Sequence, residues 1–120
     1  MKLSKEYPKL GRQVAFYPSL SNFFDSVKVA LLVCQLGYWQ NKQRDPTGFI
    51  YKTRKNLQHE TGLTRAEQET ARRFLKRKGY LEEKRKGIPA RMFYRVNWEK
   101  LMQDFDQWLE WYDPDEINAN

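Results

Sequence analysis

The sequence predicts an α+β domain, mostly helical, with one small antiparallel hairpin and an extra helix at the C-terminal end. Three observations lead there. Val27, Ala30, Leu31, Cys34 and Tyr38 recur at helical spacing, widened by Val29, Leu32, Val33 and Leu36, so one helix has a broad apolar face. Two shorter helical segments follow, with little more than "GL" between them. After Gly79 the apolar period switches to two, as in paired strands. The order is helix, short strand, helix, tight turn, basic helix, basic hairpin, which is that of a winged helix–turn–helix.

Residues 1–12 form a basic arm, 13–97 the domain proper, 98–113 an amphipathic helix, and 114–120 a tail expected to fray. "QVAFYPSL" predicts a short strand ending at Pro18. Asp25 or Ser26 caps the central helix. "QNKQRDPTG" is a polar loop broken by Pro46 and Gly48, and "GFIY" a second short strand. Thr53 caps the next helix, which Gly62 ends in the left-handed conformation. Thr64 and Glu67 have capping-box spacing and start a helix at Arg65. Ala71, Phe74 and Leu75 define its buried face, and Arg65, Glu69, Arg72, Arg73 and Lys76 the opposite one. "YLEEKRK" and "ARMFYRVN" pair as a hairpin around residues 87–90. Asn97 caps a last helix with Leu101, Phe105, Trp108, Leu109 and Tyr112 as its stripe, and Pro114 lies past its end.

Charge is unevenly placed. The 120-residue chain carries +7 overall, with +4 in residues 1–47, +9 in 48–97 and −6 in 98–120. A basic middle and an acidic end suit a face that docks on a polyanion. Aromatic residues make up 15% of the chain, which argues against a disordered polyelectrolyte. Cys34 is the one cysteine, set in an apolar run as a core thiol. The N-terminus has no signal-peptide core, and the run Val29 to Cys34 is too short to span a bilayer. A cytoplasmic protein that makes no membrane contact is expected.

These residues point to duplex DNA as the partner. Arg65, Arg72, Arg73 and Lys76 are placed to meet phosphates or base edges. Thr64 and the helix-start N–H groups suit one phosphate, and Gln68 is the neutral candidate for reading adenine. Lys84, Arg85, Lys86 and Arg91 put the hairpin on the next backbone segment. Lys52, Arg54 and Lys55 grip the flanking strand. Glu69 either pairs with Arg65 or Arg73 or accepts from cytosine. Trp39 and Trp98 close the core. Trp108, Leu109, Trp111 and Tyr112 either pack on the domain or form a homodimer seam. His59 has no second His or Cys at ligand spacing, and no nucleophile or phosphate-loop motif occurs, so neither cofactor, metal nor enzymatic activity is expected. Two other readings stand beside this one. A winged helix can instead occupy an acidic surface of a host replication or defence protein. Single-stranded nucleic acid would need exposed aromatics among the cations, for which Phe93 between Arg91 and Arg95 is the one candidate.

The stretches "SVKVALLVCQLGYW", "DPTGFIYKT" and "LQHETGLTRAEQETARRFLKRKGYLEEKRKGIPARMFYRVN" also resemble the winged-helix domain of bacteriophage, prophage and plasmid proteins. That group includes replication initiators, replisome organisers and the N-terminal domain of DnaD-like primosomal proteins. The resemblance covers roughly residues 14–101. It implies a DNA-binding role in replication or in transcriptional control.

Overall fold

The computed structural model describes residues 3–112. Its elements are α1 (Leu3–Glu6), a 3-10 turn (Pro8–Leu10), α2 (Pro18–Phe24), α3 (Val27–Gln43), β1 (Ile50–Tyr51), α4 (Arg54–Thr61), α5 (Arg65–Arg77), β2 (Leu81–Lys86), β3 (Arg91–Val96) and α6 (Trp98–Trp111). The architecture is α+β, with helices packed around one antiparallel sheet of order β1-β3-β2. The expected tail and the stop at Pro114 lie outside the described residues.

The helix starts follow from local chemistry. The Ser26 hydroxyl accepts from the Val29 N–H, Thr53 from Asn56, Thr64 from Glu67, and the Asn97 amide oxygen from Lys100. Gly62 closes α4 at φ 77°, a conformation that favours glycine. One expectation fails. Pro18 does not end a strand; its fixed φ and missing N–H suit it to open α2. Within the basic arm lie α1 and the 3-10 turn, and Arg12 donates to the Tyr38 hydroxyl at 2.6 Å. The central helix is also longer than its apolar pattern, running to Gln43 before Arg44 turns left-handed.

Leu32, Val33 and Leu36 of α3 form the middle of the core. Around them lie Leu57, Leu75, Ile50, Tyr94, Val96 and Leu101. Trp98 packs so closely on α3 that a Cβ at Gly37 would sit 2.2 Å from its ring, which explains a glycine inside this helix. Trp39 and Trp98 are both half-buried at the edge of the core. Cys34 is buried, and burial pushes its thiol pKa up.

The hairpin register pairs Leu81 with Val96, Glu83 with Tyr94, and Lys86 with Arg91. Beside it, β1 reaches only as far as Ile50 opposite Tyr94 and Tyr51 opposite Phe93. One step further along β3, the Gln40 side chain takes over. Its amide oxygen accepts from the Val96 N–H at 2.7 Å and its nitrogen donates to the Val96 carbonyl at 3.1 Å.

Candidate nucleic-acid interface

Three residues, 62–64, join α4 to α5. The turn is fixed from inside by Gln68, which is 1% exposed and donates to the carbonyls of Arg54 and Leu63, each at 3.1 Å. Gln68 is therefore a brace of the turn and does not read bases, against expectation. Its position one turn into α5 puts it under the preceding helix rather than at the rim of the basic face.

Thr64 is spent in the same way. Its hydroxyl accepts from the Glu67 N–H at 3.2 Å, and its own N–H donates to Glu67 Oε1 at 2.9 Å. Glu67 Oε2 meets Lys28 Nζ at 2.6 Å. The Lys28 contact and the bonds from Thr64 hold the Glu67 carboxyl at about 2, so the α5 N-terminus already has its anion. A phosphate is not expected there.

Lys52 is also withdrawn from solvent, at 9% exposure. Its ammonium lies 2.6 Å from Glu60 Oε2 and 3.7 Å from the centre of the Trp39 ring. Glu60 Oε1 accepts from Gln35 and Trp39, each at 2.6 Å. Burial raises the Glu60 pKa, but the bonds from Lys52, Gln35 and Trp39 outweigh it and keep the carboxyl below its ordinary value. This network ties α4 to α3 and to the residue that follows β1. It uses up a cation that the sequence assigns to DNA.

Arg72 is the fourth such case. Its Nε lies 3.2 Å from Glu83 Oε1, and its guanidinium donates to the Tyr94 hydroxyl at 3.0 Å. Lys76 meets the other Glu83 oxygen at 3.2 Å from the exposed side. Arg72 thus joins α5 to the hairpin.

Of the α5 cations assigned to DNA, Arg65, Arg73 and Lys76 stay on the surface; Arg77, exposed at the end of the helix, lies beside the Phe74 ring. Arg73 is exposed and enters no ion pair among the described residues. Glu69 pairs loosely with Arg65 at 3.7 Å and with Arg54 of α4 at 3.9 Å, distances at which an exposed pair contributes little. Lys55 on α4 is exposed, and Arg54 is half-buried.

The hairpin cations divide between the two faces of the sheet. Arg85 alternates with Glu83 and so shares the face turned to α5. Lys84, Lys86, Arg91 and Arg95 lie on the other face, among aromatic rings. Arg91 stands 5.4 Å from the Tyr51 ring centre, Lys86 6.0 Å from Phe93, and Lys84 and Arg95 5.0 and 4.4 Å from Phe49. Sequence reasoning found Phe93 and missed Phe49 and Tyr51. Their spacing of two in "GFIY" was the available signal, but only the β1–β3 pairing brings them beside Phe93.

On α6, Trp108 and Tyr112 are half-buried against the domain. Trp108 packs edge-on against Phe23 at 5.5 Å, and Tyr112 stacks on Trp108 at 4.3 Å. Leu109 and Trp111 are exposed, at 45% and 86%. They flank opposite sides of the buried stripe, and Glu99, Gln103, Asp106 and Glu110 cover the outward face between them.

His59 is exposed on α4, and among the described residues no cluster of His, Cys, Asp and Glu is placed to hold a metal ion. No described helix is long and apolar enough to cross a membrane. No family model matches the chain, and neither a curated protein nor a solved structure matches it.

Proposed function

We propose that this chain is a winged helix–turn–helix that binds duplex DNA, with α5 as the helix presented to the groove and the β2–β3 hairpin as the wing. The observation that carries the reading is the pairing of α4 and α5 through a three-residue turn, with Arg65, Arg73 and Lys76 left exposed on α5. Lys55 extends this charge on the α4 side and Arg85 on the hairpin side. Gln68 and the Arg72–Glu83 pair hold the unit rigid, so its cations are presented without large ordering cost. The contacts are chiefly to phosphate, since the two side chains best suited to reading bases, Gln68 and Arg72, are engaged inside the fold. Sequence-tolerant binding follows. The role in phage or plasmid replication or transcriptional control implied by the resemblance is part of the same proposal.

A mobility shift of mixed-sequence duplex DNA at two salt concentrations tests it. Binding that weakens steeply with salt and is reduced by Arg73→Ala is the expected result. No binding at low salt rejects it in favour of a protein partner with an acidic surface.

A further inference from the structure

We infer that the sheet face turned away from α5 is a second binding surface, a stacking platform for single-stranded DNA. Phe49, Tyr51 and Phe93 lie together on it, with the Tyr51 and Phe93 ring centres 5.7 Å apart and tilted by 44°. The residues between them in each strand, Ile50 and Tyr94, point into the core. The rings are thus fixed on a rigid sheet; Tyr51 is 39% exposed, and Phe49 and Phe93 are half-buried beneath the cations around them.

Four cations surround these rings. Arg95 is committed, since it pairs with Glu82 and donates to the Thr47 carbonyl at 2.9 Å while covering Phe49. Lys84, Lys86 and Arg91 are exposed and enter no ion pair among the described residues. Arg91 and Lys86 lie over Tyr51 and Phe93 at distances where the cation–π attraction is weak. A phosphate draws such a side chain away and uncovers the ring beneath it.

The combination selects its ligand. A duplex keeps its base faces stacked on one another, so exposed rings add nothing to duplex binding. An unpaired strand offers both a π-face and a phosphate at each step, which aromatic rings interleaved with Lys and Arg match. The choice of DNA over RNA rests on the duplex reading above; the stacking surface does not.

The test uses the full chain and an oligothymidylate carrying one 2-aminopurine, with a duplex and an oligouridylate alongside. Wild type should quench the 2-aminopurine on binding. Tyr51→Leu and Phe93→Leu, which keep apolar bulk but remove the ring, should each weaken oligothymidylate binding about tenfold and leave duplex binding unchanged. Phe93→Trp should restore it. Arg73→Ala should show the opposite pattern, weakening duplex binding and leaving the single strand bound as in wild type. Absence of quenching in wild type overturns the platform whatever the variants do. So do leucine variants that melt like wild type and bind oligothymidylate equally well. Oligouridylate bound as tightly as oligothymidylate overturns the assignment to DNA. Failure of duplex binding with quenching intact supports the platform and rejects the duplex reading alone.

Discussion

Arg72 Nε stands 3.2 Å from Glu83 Oε1, and the two side chains are only 12% and 10% exposed, so helix and hairpin meet through a nearly dry ion pair. The next residue, Arg73, points to solvent. Two adjacent arginines on the basic helix therefore do different work, and substitution separates them.

Arg72→Ala leaves the Glu83 carboxylate buried with only the outer Lys76 contact. Breaking a buried pair from one side costs about 3–5 kcal/mol. Chemical denaturation should show a loss in that range, with any DNA effect following from unfolding. Arg73→Ala should change stability by less than about 0.5 kcal/mol. It should weaken duplex binding for all sequences alike and reduce the salt slope by about 1. A stable Arg72→Ala protein refutes the bracing role.

The number of cations left on the duplex side sets the salt dependence. Lys55, Arg65, Arg73, Lys76 and Arg85 would release counterions from about five phosphates, a slope of log K on log salt near −4 to −5. A slope far steeper would mean that further cations, the exposed Lys84, Lys86 and Arg91 of the hairpin first, also meet phosphate.

Much of this fold is legible in short stretches, because caps and turns are local. Thr64 with Glu67, Thr53, Asn97, Gly62 and the hairpin around residues 87–90 all stand where side-chain chemistry puts them. The site is less legible. Helical geometry sets Arg72 and Arg73 near each other on the polar half of α5, and nothing within the helix says that one will meet a carboxylate on β2. Gln68 bonds a carbonyl fourteen residues upstream, and Lys52 a carboxylate one helix away. Burial of a polar side chain depends on partners that the local pattern does not reveal. Pro18 opens a helix instead of ending a strand for a related reason: a proline ends one kind of element and opens another, and only the packing of Leu20 and Phe24 on the core decides which.

The α5 start should respond to acid. The Glu67 pKa is depressed in the fold, from an ordinary 4.5 to about 2. Its stabilisation is therefore complete above pH 4.5 and lost as pH falls toward 2. Glu67→Gln should melt below wild type at neutral pH, and the gap should close across that window. Thr64→Ala, which removes the hydroxyl acceptor, should cost about 1 kcal/mol at neutral pH. A gap that persists at pH 2 refutes the charge-based account.

The two tryptophans near the end of α6 should behave oppositely. Trp108→Ala removes a ring packed on Phe23 and Phe105. It should destabilise by about 2 kcal/mol, less than the ~3–5 of a fully buried tryptophan. Trp111→Ala should stay within about 0.5 kcal/mol. Sedimentation of wild type and Trp111→Glu shows whether a second copy docks on α6. A wild-type dimer that the charge breaks without unfolding locates the contact at Trp111.

The side-chain amide of Gln40 has a consequence for solubility. β1 ends early, so the backbone of β3 at Val96 would otherwise present an unpaired donor and acceptor, a template on which a strand from another chain can assemble. Gln40 fills that place from a helix, where it cannot propagate a sheet as a strand would. Replacing it with alanine reopens the edge one ladder step wide, beside a hydrophobic core. The expected outcome is slow, concentration-dependent aggregation of a protein whose secondary structure is unchanged by circular dichroism.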